Sequence, residues 1–487
     1  MNRTTFPFQN IASEVVVALL TAALTACGGG VGSGGTGQEV VTSTGPTVGT
    51  VNGFGSVIVD GLSYDNRTAR VVAETAPGRD AAAEVKIGHR VSVDVAASAP
   101  TVATQVRVDA TVVGSVTDIS TATNTAAAAP QITVLGQTIS LNNVGTAGPI
   151  TQFGGGYLKA GDLRVGDAVE VHAVQLRLAT SNPLQATRID KLAALPSTLR
   201  VTGVVTATAA SSASIGVLNL DTSKAVVLPA GNAVTVGQTI SVWAVPHPLA
   251  LPAPGTVVLQ ATQIRIRGLS VAGADNTVSG AVSRLDATAK TFNLGSLLVN
   301  YANATITPTN ASVANNRYLQ VRGTTAADGS LSAVSINVRD AGSNSEAELK
   351  GNISAYVAAT KQFTLRGVAV DASTATLKSC PATGLANGLF VELKGAVSAT
   401  GVKASSIQCG DEPAEATVER EGIAGTVDLP AKTFQITLEK GAAINVKWTD
   451  ATYFGGLTAA TLSGKKVQAE GALVGGVLMA TKVKLND

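Results

Sequence analysis

The sequence predicts an all-β protein, a tandem array of about six small OB-like or SH3-like β-barrel modules. Three observations carry that expectation. The chain has 487 residues, more than the roughly 250–300 that one core usually serves. Its composition, with 51 Gly, only 3% aromatic and 14% charged residues, suits short strands and tight turns better than helices. A strand-like opening also recurs six times along it: VGTV at Gly49, VGSV at Gly114, TGVV at Gly203, SGAV at Gly280, KGNI at Gly351 and AGTV at Gly425.

The N-terminus reads as an export signal. Arg3 is the sole cation before the apolar run Val15–Leu24, which is too short to span a bilayer but right for the core of a signal peptide. The run ends in Leu24-Thr25-Ala26-Cys27, which resembles a bacterial lipobox. That resemblance implies removal of residues 1–26 and lipidation of Cys27, palmitate among the acyl chains. Each buried methylene adds about 0.8 kcal/mol of membrane affinity, so several chains anchor durably where one does not. Residues 27–45 continue as a Gly/Ser/Thr tether. Gly28 stands where an Asp would, in enteric-type lipoproteins, retain the protein at the inner membrane. The expected location is therefore the outer membrane.

The remainder divides into units at 46–109, 110–195, 196–270, 271–342, 343–412 and 413–487. Each carries a second alternating strand, such as RVSVDVA from Arg90, AVEVHAV from Ala168 and KVQAEGA from Lys466. Each closes on a third, such as ATQVRV from Ala103, ATRIDKL from Ala186 and ATKVKL from Ala480. Period-2 alternation places every second side chain on one face, the pattern of half-buried antiparallel strands. Ala327-Asp328-Gly329 and Val474-Gly475-Gly476 suit hairpin turns. Gly456–Leu462 could form one helical turn. Openings 65 to 89 residues apart (Gly49 to Gly114, Gly114 to Gly203) leave room for five or six strands, enough to close a barrel and remove exposed edges. A continuous β-solenoid is the alternative, but its repeats usually run about 20–45 residues.

The last unit shows the pattern most clearly: Gly425–Val427, Thr433–Leu438, Asp450–Thr452, Gly456-Leu457, Lys466–Gly471 and Ala480–Val483. With the opening Val51–Asp65, these segments are similar to DUF5666, a bacterial domain of unknown function often found in lipoproteins. The resemblance covers nearly all of residues 46–487, strong for the first, fourth, fifth and sixth units and weaker for the second and third. It implies architecture and brings no catalytic residue with it.

Chemistry is sparse. Lys plus Arg number 35 against 33 Asp plus Glu, a net charge of +2, with none of the clustered basic charge a nucleic-acid surface needs. His89, in KIGHRVSV, reads as a solvated loop residue. His172 falls in a slot held elsewhere by Asp94, Trp243, Arg322, Lys394 and Glu470, which suggests an outward-facing strand position. His247, between two prolines, reads as an exposed loop. No histidine has a second His or a Cys at metal-ligand spacing, so no metal and no cofactor is expected. Cys380 and Cys409 lie in one unit, and in an oxidising compartment they are expected to form a disulfide. Asp411, Glu412, Glu415, Glu419 and Glu421 read as a solvated linker without calcium-loop spacing. Trp243, Trp448, Tyr453 and Phe454 read as core before binding patch. Gly53-Phe54-Gly55-Ser56 has no helix behind it to cradle a phosphate, and no nucleophile elbow occurs.

The expectation is thus a non-catalytic lipoprotein of the cell envelope, held to the membrane by its lipid. It would act as a spacer or as a partner of an envelope protein or polysaccharide. A binding module for a small ligand, ion or saccharide is the alternative.

Overall fold

The computed structural model describes residues 45–96, 98–121, 130–145, 148–176, 184–246, 257–268, 272–409, 418–438, 443–474 and 477–486. The protein is nearly all β, with 61% strand and almost no helix. Among the described residues, the α-helix Ala341–Ser345 is capped by the Asp340 carboxylate, which accepts the Ser343 N–H at 2.9 Å. A single 3-10 turn, Ala459–Thr461, lies where one helical turn was expected.

The C-terminal five strands form a closed barrel. Val418–Ala424 pairs antiparallel with both Thr433–Thr437 and Lys466–Val474. Thr433–Thr437 pairs antiparallel with Ile444–Gly455, which runs parallel to Val477–Leu485. Val477–Leu485 then returns antiparallel against Lys466–Val474. Alternation fills the interior: Phe434, Ile436, Val446, Trp448, Val467 and Leu478 point in and are buried, each contributing about 1.5–3 kcal/mol of transfer free energy. The same circuit of pairings recurs over Val112–Lys191. It recurs again over Asp275–Val338 and over Glu346–Cys409.

Two local devices recur among the circuits. The first is a two-residue hairpin: Leu365 pairs with Val368 across Arg366 (φ 52°) and Gly367 (φ 75°), the left-handed pair that a type I′ turn requires. The second is a β-bulge in the strand V-x-V-x-G. The register slips after Arg322, Lys394 and Glu470, and the next residue is Gly323, Gly395 or Gly471. A Cβ on these glycines would sit 2.2, 2.2 and 2.0 Å from a carbonyl oxygen of the facing strand. The repeated glycine of the sequence pattern is therefore the residue that lets the bulge close.

The units are not separate beads. Thr47–Phe54 pairs parallel with Asp275–Asp286 through Thr47 and Val48, and with Glu346–Val357 through Gly53 and Phe54. Leu199–Val204 pairs with Val112–Thr121. One hydrophobic core joins residues of 46–109 to residues of 343–412, and another joins 110–195 to 196–270. The residues of 271–342 and 413–487 keep cores of their own. The physical reason is size: a unit this short buries only a modest core alone, and sharing one buries more apolar surface per residue.

Candidate functional site

The residues singled out from the sequence scatter. Cys27 and the signal, His247, Asp411, Glu412, Glu415 and the Gly475-Gly476 turn lie outside the described residues. Cys380 and Cys409 are brought together, with a Cα–Cα distance of 4.7 Å. Glu419 and Glu421 are exposed, but on the strand Val418–Ala424 and not in a linker. Trp448 and Phe454 are buried in the last barrel's core, and Tyr453 meets Phe390 edge-on at 6.0 Å. Trp243 is buried beneath the Arg200 guanidinium, 5.1 Å from its ring centre.

His89 is not the solvated loop residue expected, and His172, though it faces out of its barrel, does not meet solvent. His89 is 5% exposed and His172 0%, and their rings stack with centroids 4.4 Å apart. His172 does point out of its own barrel, opposite in alternation to Val169 and Val171. That outer face is covered by the loop Lys86–His89 of the neighbouring unit. Gly88 makes the close approach possible: it takes φ 85° and a Cβ there would lie 2.4 Å from the Thr187 carbonyl oxygen. Spacing could not reveal the pair, because packing between two barrels sets it.

The stacked rings sit in a web of hydrogen bonds. The Lys86 N–H donates to His89 Nδ1 at 3.2 Å. His172 Nδ1 meets the Arg90 N–H at 3.2 Å and the Asp109 carbonyl oxygen at 3.1 Å. His172 Nε2 lies 3.2 Å from Glu170 Oε1, and His89 Nε2 3.9 Å from Asp190 Oδ2. Arg188 holds Asp190 with two bonds, 2.5 and 2.7 Å, and reaches back to the Ile87 carbonyl at 3.0 Å. Thr187 Oγ1 donates to the Gly88 carbonyl at 2.6 Å.

The electrostatics follow from this burial. Desolvation first, then the neighbouring His172 ring, pull the His89 pKa down to about 3. Burial works to raise the Asp190 carboxyl, but His89 and Arg188 beside it win and hold it well below the usual carboxylate range. For Glu170, burial is likewise outweighed by the hydrogen bond and charge of His172, and the carboxyl is lowered.

His89, Glu170 and His172 offer ligand atoms within 4.8 Å of one another, of the types a divalent transition ion takes. Their arrangement does not suit one. An imidazole binds a metal in its own ring plane at about 2.0–2.1 Å, and these planes lie only 27° from parallel at 4.4 Å separation, so they do not converge on one ion. The Lys86 N–H also leaves the neutral His89 proton on Nε2, the atom that would bind. Neither imidazole is hydrogen-bonded to a Ser, Thr or Cys side chain among the described residues, so neither activates a nucleophile.

Two further buried polar clusters also cross between units. Glu74 pairs with Arg265 at 2.8 Å and Arg267 at 2.7 Å. Asp60 accepts the Tyr318 hydroxyl at 2.9 Å, and its carbonyl accepts from Arg339 at 2.6 Å. The pocket between Asn52, Asp60, Ile150, Arg339 and Asn344 has about 10 Å³ of room, on the scale of one water.

Three stretches of the chain match a family model described as a domain of unknown function (DUF5666): residues 113–190, 279–337 and 350–408. These are the three stretches over which the circuit of the C-terminal barrel recurs. No curated protein matches the chain.

Proposed function

We propose, from the premise that the chain carries DUF5666 domains in three regions, that it is a non-catalytic lipoprotein of the bacterial cell envelope. In this reading Cys27 carries the lipid, palmitate included, in the outer membrane. Six β-modules, 46–109, 110–195, 196–270, 271–342, 343–412 and 413–487, form an interlocked scaffold that presents a surface to an envelope protein or polysaccharide.

One observation supports this above the others. Three clusters of buried polar side chains join units: His172 with the Lys86–His89 loop, Glu74 with Arg265 and Arg267, Asp60 with Tyr318. Catalysis needs such groups to converge on a solvent-accessible cleft with a nucleophile or acid–base pair. Holding barrels in a fixed arrangement needs them between barrels. An oxidising compartment also suits a Cys380–Cys409 disulfide.

The anchor tests the placement. Metabolic labelling with a palmitate analogue and gradient fractionation should find the wild-type chain acylated in the outer-membrane fraction. Cys27→Ser should be unlabelled and recovered as soluble envelope protein. A Cys27→Ser chain that remains in the membrane fraction counts against the reading.

A further inference from the structure

We propose that the junction between residues 46–109 and 110–195 is an acid-opened clasp, because His89 is closed against the His172 ring with its Nδ1 taken by a backbone N–H that a proton would displace. The argument is one of partners.

His172 is bonded at both ring nitrogens: Nδ1 faces the Arg90 N–H at 3.2 Å and the Asp109 carbonyl oxygen at 3.1 Å, and Nε2 lies 3.2 Å from Glu170 Oε1.

His89 leaves no place on Nδ1 for a proton while the junction is closed. Its Nδ1 faces the Lys86 N–H at 3.2 Å, so a proton there sets two donors head to head and breaks that bond. Its positive ring would lie 4.4 Å from that of His172. The carboxylates near it are shared, Asp190 lying 3.9 Å from His89 Nε2. Asp190 is held by Arg188 through two bonds and lies 3.9 Å from Lys86 Nζ. Glu170 serves His172. The Asp109 carboxylate is turned to Arg200 at 3.3 Å and Arg267 at 3.9 Å. The Arg90 guanidinium, itself a cation, bonds Thr50 at 3.0 Å and the Ser279 carbonyl at 2.9 Å.

An open junction relieves all of this by returning His89 to water, where its pKa is about 6.5. Closed, the same group is held at about 3 by burial and by the His172 ring. The folded value is the depressed one. The clasp is therefore strongest above about pH 6.5 and weakens as pH falls toward the closed-state value. Because the open form binds one more proton, its population rises about tenfold per pH unit across that window.

Hydrogen–deuterium exchange on the full chain tests this, with rates corrected for the intrinsic pH dependence of exchange. Between pH 6 and 4, protection should fall about tenfold per unit in residues 86–92 and 168–175. Protection in Thr433–Thr437 should stay level. His89→Gln keeps an acceptor for the Lys86 N–H but does not titrate, and should flatten the response at the junction. Junction protection that ignores pH in the wild type overturns the proposal. So does a His89→Gln chain that loses protection with the wild-type dependence. Should that variant not fold, the histidine ring resonances of the wild type decide. The His89 signal must move with the same midpoint as the loss of protection, and a ring that titrates while the junction stays protected refutes the clasp.

Discussion

Cys409 is buried in the core shared by residues 46–109 and 343–412, and Cys380 packs against its margin. A cross-link between residues 29 positions apart removes about 3–4 kcal/mol of chain entropy from the unfolded ensemble. The double variant Cys380→Ala/Cys409→Ala should therefore lower the urea midpoint of the segment that holds it. Dithiothreitol should do the same to the wild type and nothing further to the variant. A wild-type midpoint indifferent to reductant would argue that the thiols are not joined. This pair was legible because both cysteines fall in one unit. The histidines were not. His172 shares its place with Asp94, Trp243, Arg322, Lys394 and Glu470, and each of these is the residue just before a register shift in its strand. Alternation tells that such a residue points out of its barrel. It does not tell what covers the outside, and over His172 and Trp243 a neighbour or a guanidinium lies on that face.

At the scale of elements, the bulge is the device that the repeats share and the one whose chemistry the sequence displays. Val-x-Val-x-Gly reads as an alternating strand with a terminal glycine, yet alternation gives no reason for the glycine. The structure supplies it: the facing carbonyl leaves no room for a side chain at Gly323, Gly395 or Gly471. The requirement is not absolute. Ala173 and Ala244 follow the register shift in their own strands, so a bulge can reopen enough for one methyl. Gly471→Ala should accordingly cost about 1–3 kcal/mol through overpacking, read as a lower midpoint for the C-terminal barrel, without loss of the fold. The neighbouring turn offers the contrast. Gly464 takes φ 75° with nothing near its Cβ position, so Gly464→Ala acts through backbone strain alone, about 1 kcal/mol. If Gly464→Ala proves the more damaging of the two, steric contact at the bulge is not what the glycine relieves.

For the whole molecule the decisive question is which units can stand alone, and the cores answer it differently for different units. Residues 413–487 own a closed set of pairings and a separate interior. Their contacts with the preceding unit include the Asn352 side-chain bond to the Thr452 carbonyl and the Phe390–Tyr453 edge contact. Residues 46–109 differ. Their apolar side chains belong to a core shared with 343–412. Their first strand pairs with strands of two other units, and their polar groups reach toward four. Alternation along each strand makes the barrel readable, but it is blind to these outer contacts, because they join segments far apart in the chain through faces that a lone unit would show to water. An isolated 413–487 fragment should therefore melt cooperatively, with Trp448 buried as in the full chain. An isolated 46–109 fragment should expose Val51, Val59 and Val91 and show no cooperative transition. Deleting 46–109 from the full chain should also loosen hydrogen-exchange protection at Leu349 and Val391, residues of the shared core, while leaving Ile436 and Val467 of the C-terminal barrel unchanged. Equal, cooperative folding of both fragments would mean that the inter-unit pairings add little, and that the chain behaves as independent barrels after all.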